Sequence, residues 1–334
     1  MSFTRRPLLL VVGLFLAIVV CIPPTLAQRR YGGGDNDPQP SKATLAVVGG
    51  MLIDGHEGTP VAHSVILIDG NRIVAVGTSD TLKVPAGTRV VDAAGMTVMP
   101  GLIDVHVHMD TIGHTDYQYW HQTYKSRFQE IYAISAKGML LYGVTSAVDL
   151  GGSTEELVAF KKKVDSGQIA SPRLKIAGGF ISNYPDEYMK TWHRGYQSIN
   201  VHNVEDARGA ALKWMSYNVD LLKAYDGLSG DQVKVITEEA HKHGLWVTGH
   251  ANGPDNAVAR INAGQDAIEH LGFAYGGNVP PEVITAMLKH RTIVVPTLVT
   301  SWAQLDAVEW PEFWIDNQRA KSTMPPEIWA DVRR

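Results

Sequence analysis

Cysteine is all but absent: of 334 residues only Cys21 carries a thiol, and it lies in the first apolar stretch of the chain. A mature chain lacking that stretch holds no thiol and forms no disulfide. An excess of charge is absent too. Thirty basic residues against 34 acidic ones leave a formal charge of -4, which creates no field inviting nucleic acid or an anionic membrane and excludes a phosphate-tracking function. Gly151-Gly152 lacks the third spaced glycine and the lysine of phosphate-binding loops. The one long apolar run, Leu8 to Ile22, is too short for a transmembrane span. What remains, 45% hydrophobic and 19% charged residues, is the composition of a globular protein long enough for one large α/β domain or two smaller ones.

The N-terminus has the form of an export signal, expected over 1–27. Arg5 and Arg6 precede the apolar run, and Thr25-Leu-Ala27 places small residues before a cleavage point. Thr4-Arg5-Arg6 also resembles a twin-arginine signal, with an ordinary secretory signal the simpler reading. Val20 before Cys21 matches a lipoprotein site poorly. Export to the periplasm or medium is the expected localisation, with no membrane contact after cleavage. Residues 28–41, rich in Gly, Pro, Asp and Gln, form a flexible linker by composition. Short β-type runs follow over 42–98: Thr44–Leu52, Ser64–Ile68, Ile73–Val76 and Arg89–Val91, with Asp69-Gly70-Asn71 as a hairpin turn. A β unit of about 60 residues is too small to stand confidently alone.

The chain turns on Met99-Pro-Gly-Leu-Ile-Asp-Val-His-Val-His108. On a strand the alternation puts both imidazoles on one face and both valines on the other, which is half a metal site. From Pro100 onward strand and helix patterns alternate. Strands are expected at Leu102–His106, Val144–Leu150, Leu174–Phe180, Val219–Tyr225, Leu245–His250, Ala267–Leu271 and Thr292–Val299, with helices such as Val204–Met215 and Asp231–His243, the latter closed by Gly244. Such repetition over 99–334 predicts an α/β fold of the (β/α)8 barrel type with about seven strands present, a doubly wound sheet being the alternative. From Ser301 to Arg334 no further apolar β run occurs.

In a barrel, chemistry sits at the C-terminal strand ends. His106 and His108 on the first strand, Lys223 in the fourth, His250 ending the fifth and His270 in the sixth meet that requirement. A lysine in a buried strand must be paired, neutralised or modified. Imidazoles from several strands at one mouth fit zinc or another nitrogen-accepting divalent metal.

Pro-Gly-Leu-Ile-Asp-Val-His-Val-His, Leu-Leu-Lys-Ala-Tyr-Asp-Gly, Val-Thr-Gly-His-Ala and Ala-Ile-Glu-His-Leu, in this order, resemble the metal-dependent amidohydrolase superfamily in its imidazolonepropionase-like and prolidase-like branch. The resemblance covers about residues 42 to 300. It implies two divalent metal ions, zinc by expectation: His106 and His108 hold the first, His250 and His270 the second, and Lys223, carboxylated by carbon dioxide, bridges both. It also implies a small β-sandwich beside the barrel, matching 42–98, and hydrolysis of amide or related C–N bonds by a metal-shared hydroxide. Dipeptides, N-acyl amino acids or cyclic amides are the implied small-molecule substrates, and a homo-oligomer is compatible with the family. The family's eighth strand ends in a general acid/base aspartate that no strand here supplies. That departure leads to the expectation of a C-terminally truncated fragment or a degenerate, non-catalytic homologue. A single-metal deaminase is the alternative enzyme, disfavoured by Lys223.

Other histidines have plainer readings. His241 and His243 on one helix point about 200° apart and cannot share a ligand; they suit the negative end of the helix dipole. His56, His63 and His290 are expected at the surface. His114, His121, His193 and His202 are expected in loops after the first and third strands, on the barrel's active side. Of these His114 and His193, together with Tyr184 and Arg194, are candidate substrate-binding residues, Arg194 as the partner of a substrate carboxylate.

Overall fold

The structure, a computed structural model, describes residues 40–56, 58–112, 116–191, 198–272, 277–298 and 317–332. The expected export signal, nearly all of the linker, and His114, His193 and Arg194 lie outside them. The chain divides into two compact units at Pro100/Gly101.

The first unit is all β. Strands β1 (Leu45–Val48), β3 (Ser64–Asp69), β4 (Arg72–Thr78) and β5 (Arg89–Asp92) form one sheet in the order β4-β3-β1-β5. β2 (Met51–Leu52) pairs with β6 (Thr97–Val98) as a separate ribbon. The expected Thr44–Leu52 strand is thus broken in two at Gly49-Gly50. Gly49 has φ +85, and a Cβ on Gly50 would run into Val98. The Asp69-Gly70-Asn71 hairpin forms as expected, with Gly70 at φ +59. One face of the four-stranded sheet buries Ala46, Val65, Leu67 and Leu82. Among the described residues the unit is a sheet and a ribbon, without a second sheet of like size.

The second unit alternates parallel strands with helices. β7 (Leu102–Val107), β8 (Val144–Asp149) and β9 (Arg173–Ile176) make a three-stranded sheet in that order. β10 (Phe180–Ser182), β11 (Ile199–Asn200), β12 (Leu221–Ala224), β13 (Trp246–Gly249), β14 (Ala267–Glu269) and β15 (Ile293–Val295) make a six-stranded sheet, β11-β10-β12-β13-β14-β15. All their pairings are parallel.

Two expectations are corrected here. The single strand expected over Leu174–Phe180 is two, because Ala177-Gly178-Gly179 interrupts it with Gly178 at φ +75, so that β9 pairs with β8 and β10 with β12. Hydrogen bonds from Asp220 N to Ile176 O (2.9 Å) and Gly152 N to Gly178 O (3.3 Å) span the break. The other correction is closure: β7 and β15 are sheet edges without a ladder between them, so the described strands form an open parallel array. The margin leaves apolar edge residues uncovered, Ile103 being 67% exposed.

Local chemistry explains the helices that frame this array. Val204–Met215 begins where Asn203 accepts from Asp206 N and buries Ala207, Ala210, Ala211 and Trp214. Gly230–Lys242 starts with a capping box in which Ser229 and Gln232 satisfy each other's backbone N–H. It ends before Gly244, whose φ of +69 suits the residue after a helix. The main core lies between these helices and the strands and includes Ile176, Ile181, Leu222, Val247, Leu157 and Phe160. Among the described residues no helix is long and apolar enough to cross a membrane.

Candidate metal centre

Every strand that bears chemistry presents it at its C-terminal end, and these ends meet. His106 and His108 leave β7 on one face, with ring centroids 5.3 Å apart. His106 lies 4.6 Å from His270, which follows β14, and His270 lies 4.9 Å from His250, which follows β13. All four line a cavity of about 650 Å³ with Tyr117 and Tyr225.

Each imidazole is tied through Nδ1. That of His106 meets Glu269 Oε2 at 2.7 Å, that of His108 the Gly151 carbonyl at 2.8 Å, and that of His250 Asp226 Oδ1 at 2.9 Å; that of His270 pairs with Thr297 Oγ1. A carboxylate or carbonyl can only accept, so the first three rings carry their proton on Nδ1 and their lone pair on Nε2. This is how outer partners prepare metal-binding histidines. Those partners are themselves held: Thr248 donates to Glu269, and Tyr184 OH donates to Asp226 Oδ2 at 2.6 Å. His270 adopts a left-handed backbone, φ +51, a strain of about 1–3 kcal/mol that persists where surrounding structure over-determines it.

The electrostatics favour neutral ring nitrogens. Burial, then the cations Lys223 and His250, lower His106 from 6.5 to about 2. Burial and His106 lower His108 to about 4. Burial with His106 and His250 lowers His270 to about 3. His250 is lowered by burial and Lys223 against the pull of Asp226. The close His106–Glu269 contact is therefore a hydrogen bond from a neutral ring, not an ion pair. Burial opposes ionisation of Asp226, but hydrogen bonds from His250, Tyr184 and Asn252 win and hold its carboxyl well below the usual range.

Beneath the rings lies Lys223 on β12, fully buried, its Nζ without a hydrogen-bond partner. Burial lowers it to about 8, against the attraction of Glu269 and Asp226. An orphaned amine under four imidazoles fits a group that brings acceptors to Nζ and charge to the rings. The donor set thus fits divalent metal ions joined through a modified lysine, although among the described residues no three His, Cys, Asp or Glu side chains form a ready-made ligand set.

The amidohydrolase family profile matches residues 97–326. The chain belongs to the amidohydrolase family. It is 24% identical over 271 residues to an ochratoxinase from Aspergillus niger, a match covering 70% of this chain and 55% of that protein. Among solved structures it superposes on molinate hydrolase with TM-score 0.67 and 21% identity, covering 82% of this chain and 68% of that one. A putative prolidase from Bifidobacterium longum superposes with TM-score 0.63 and 26% identity, covering 78% and 62%. The chain spans about half the length of the ochratoxinase, and a 39% match to a Geobacter metallireducens dihydroorotase spans only 16% of that protein.

The structure brings together His106, His108, Lys223, His250 and His270. It gives Tyr184 a different place from the substrate role expected of it: its hydroxyl is engaged by Asp226. His121 is corrected from loop to helix. It lies in Tyr117–Tyr124, buried, with Nε2 3.1 Å from Asp110 Oδ2. His202 is exposed beside Asp186. His241 meets Asp266 at 2.9 Å in the last turn of its helix, as the dipole reading requires. Sequence reasoning missed Glu269, Asp226 and Asp149. The first two stood inside quoted motifs, next to His270 and Tyr225, and a carboxylate beside a strand-end ligand was the available signal.

Proposed function

We propose that this chain carries the metal centre of an exported hydrolase of amide or related C–N bonds. In this reading His106 and His108 hold one divalent ion and His250 and His270 the other, and a carboxylated Lys223 joins them. The observation that carries it is the gathering of four imidazoles, oriented through Nδ1, over a buried lysine with no hydrogen-bond partner. The relatives named above as hydrolases and prolidase support the reaction class. Arg5-Arg6, the run Leu8–Ile22 and Ala27 support export, and N-terminal sequencing of secreted material should start near Gln28.

Bound divalent ions, zinc for this nitrogen-rich set, supply polarisation of a substrate carbonyl and a water of lowered pKa. The chain's residues prepare for this. Glu269, Gly151 and Asp226 fix the imidazole tautomers, and burial keeps the rings neutral down to pH 5 and below. With its pKa near 8, Lys223 holds an appreciable neutral fraction at pH 7. Its amine nitrogen attacks the carbon of carbon dioxide, a C–N bond forms as one C=O π bond breaks, and the ammonium proton leaves to water, giving an anion where the four neutral rings need one. Tyr117, Tyr225, Val295 and Pro296 give the cavity an apolar wall, suited to the uncharged body of a dipeptide, N-acyl amino acid or cyclic amide.

Loaded with Zn²⁺ in bicarbonate buffer, the chain should bind two ions, and Lys223→Ala fewer than two, with partial recovery in formate or acetate. Turnover is assayed on dipeptides and N-acyl amino acids. Lys223→Ala retaining two ions and full turnover would reject the bridging role and favour the single-metal deaminase. Metal binding without turnover is the second reading. It is favoured by the lack, among the described strands, of the aspartate that the family carries on its eighth.

A further inference from the structure

We infer that Asp149 is a positioning residue for this centre: through Gly151 it fixes the ring orientation and tautomer of His108. The metal consequence rests on the proposed function; the hold on the ring does not.

Asp149 ends β8 and is fully buried. Its Oδ2 accepts from Met109 N and its Oδ1 from Gly151 N, both at 3.0 Å. One carboxylate therefore brackets the backbone just beyond His108 on one strand and the turn after β8 on the next. The carbonyl of that same Gly151 accepts from His108 Nδ1 at 2.8 Å. Gly151 has φ +149, and a Cβ there would overlap the Phe180 ring, so the peptide has no room to rotate towards the core. Phe180 in turn meets His108 edge-on at 5.9 Å, 89°, and stacks on Tyr225 at 4.3 Å, 7°. His108 is gripped between a carbonyl and a ring, and Asp149 anchors the carbonyl.

The other rings are held differently. His106 and His250 bond a carboxylate directly and His270 a threonine hydroxyl, whereas His108 depends on a main-chain carbonyl whose direction must be set by something else. If Asp149 merely satisfied two strand-end N–H groups, its loss would lower stability and leave the imidazole alone. If it positions His108, its loss changes which ring nitrogen carries the proton. Asn is the discriminating replacement: its amide oxygen accepts from one N–H, while its NH2 confronts the other.

The experiment compares wild type with Asp149→Asn, Asp149→Glu, His108→Ala and Leu157→Ala, the last a fully buried core position away from the cluster. Imidazole 15N shifts in the metal-free chain report the His108 tautomer, chelator competition with Co²⁺ reports affinity, and thermal melts report stability. Wild type should show His108 as the Nδ1–H tautomer. Asp149→Asn should show mixed tautomers and hold one of its two Co²⁺ ions about 10- to 100-fold more weakly, the range found when outer partners of metal ligands are removed. Leu157→Ala should melt earlier with tautomer and affinity unchanged. If Asp149→Asn keeps a single Nδ1–H tautomer and wild-type affinity, the inference is overturned. If Asp149→Asn does not fold, Asp149→Glu decides by the same two readouts. If His108→Ala itself leaves Co²⁺ binding intact, the metal reading fails while the tautomer measurement still decides the hold of Asp149 on His108.

Discussion

His106 and His108 stand on β7, the edge of a three-stranded sheet, whereas His250 and His270 follow β13 and β14, which are paired on both sides. The edge strand leaves Leu102, Ile103 and Val105 exposed; β14 is buried throughout and β13 everywhere but Trp246. One pair of ligands is placed by sheet pairing and core packing. The other owes its place to side-chain and carbonyl tethers that reach across the chain, Glu269 to His106 and Asp149 through Gly151 to His108. Ladder hydrogen bonds fix a backbone without regard to ring rotation, and tethers fix a ring without adding core.

The comparison breaks most sharply at Ile268, fully buried on β14 with Ala257, Ile261 and Val283. Ile268→Ala should cost about 2–5 kcal/mol in chemical denaturation and loosen His250 and His270 together. A loss under 1 kcal/mol would mean that the paired half is not held by its core.

Acid should act next. Burial holds His106, His108 and His270 below 6.5, at about 2, 4 and 3. As pH falls below 6.5 the unfolded chain binds protons that the folded chain refuses, so stability present above pH 6.5 is lost on the way down. Asp149, raised to about 8 by burial and Asp110, acts in the opposite sense between about pH 4 and 8, but one carboxylate offsets only part of three imidazoles. The metal-free chain should lose on the order of a few kcal/mol between pH 7 and pH 5, chiefly through His106 and His108, since partly exposed His270 is screened. Flat stability across that range would contradict the buried, neutral state of the rings.

On the tethered half, Glu269→Gln leaves the fold intact but replaces a charged acceptor by an amide between Thr248 and His106. Divalent-metal affinity should fall about 10- to 100-fold with little change in melting temperature, as read by chelator competition. The smallest effect belongs to Ile103→Ser on the exposed edge, where stability should stay within about 0.5 kcal/mol. A larger loss would show that the margin of β7 is covered in solution.

The same contrast explains what the sequence disclosed. Alternation alone put His106 and His108 on one face, an apolar run exposed Lys223 as anomalous, and Asn203, Ser229 and Gly244 marked helix ends to within a residue of where they fall. These signals are local. The tether from His106 to Glu269 crosses 163 residues and that from His108 to Gly151 crosses 43, distances over which no periodicity carries information. The break at Gly178 was hidden because Leu174–Phe180 reads as one apolar run, and only the choice of different neighbours for β9 and β10 reveals it. Closure of a barrel was equally beyond local pattern, since β7 and β15 show strand character without declaring whether they pair.

The central claim is that four tethered imidazoles and Lys223 form one two-metal centre, and direct metal counting tests it. Purified chain equilibrated with Zn²⁺ and bicarbonate should carry two ions by elemental analysis, falling to one or fewer in Lys223→Ala and on loading without carbon dioxide. Two ions retained in Lys223→Ala, or none bound by the wild type, would contradict it.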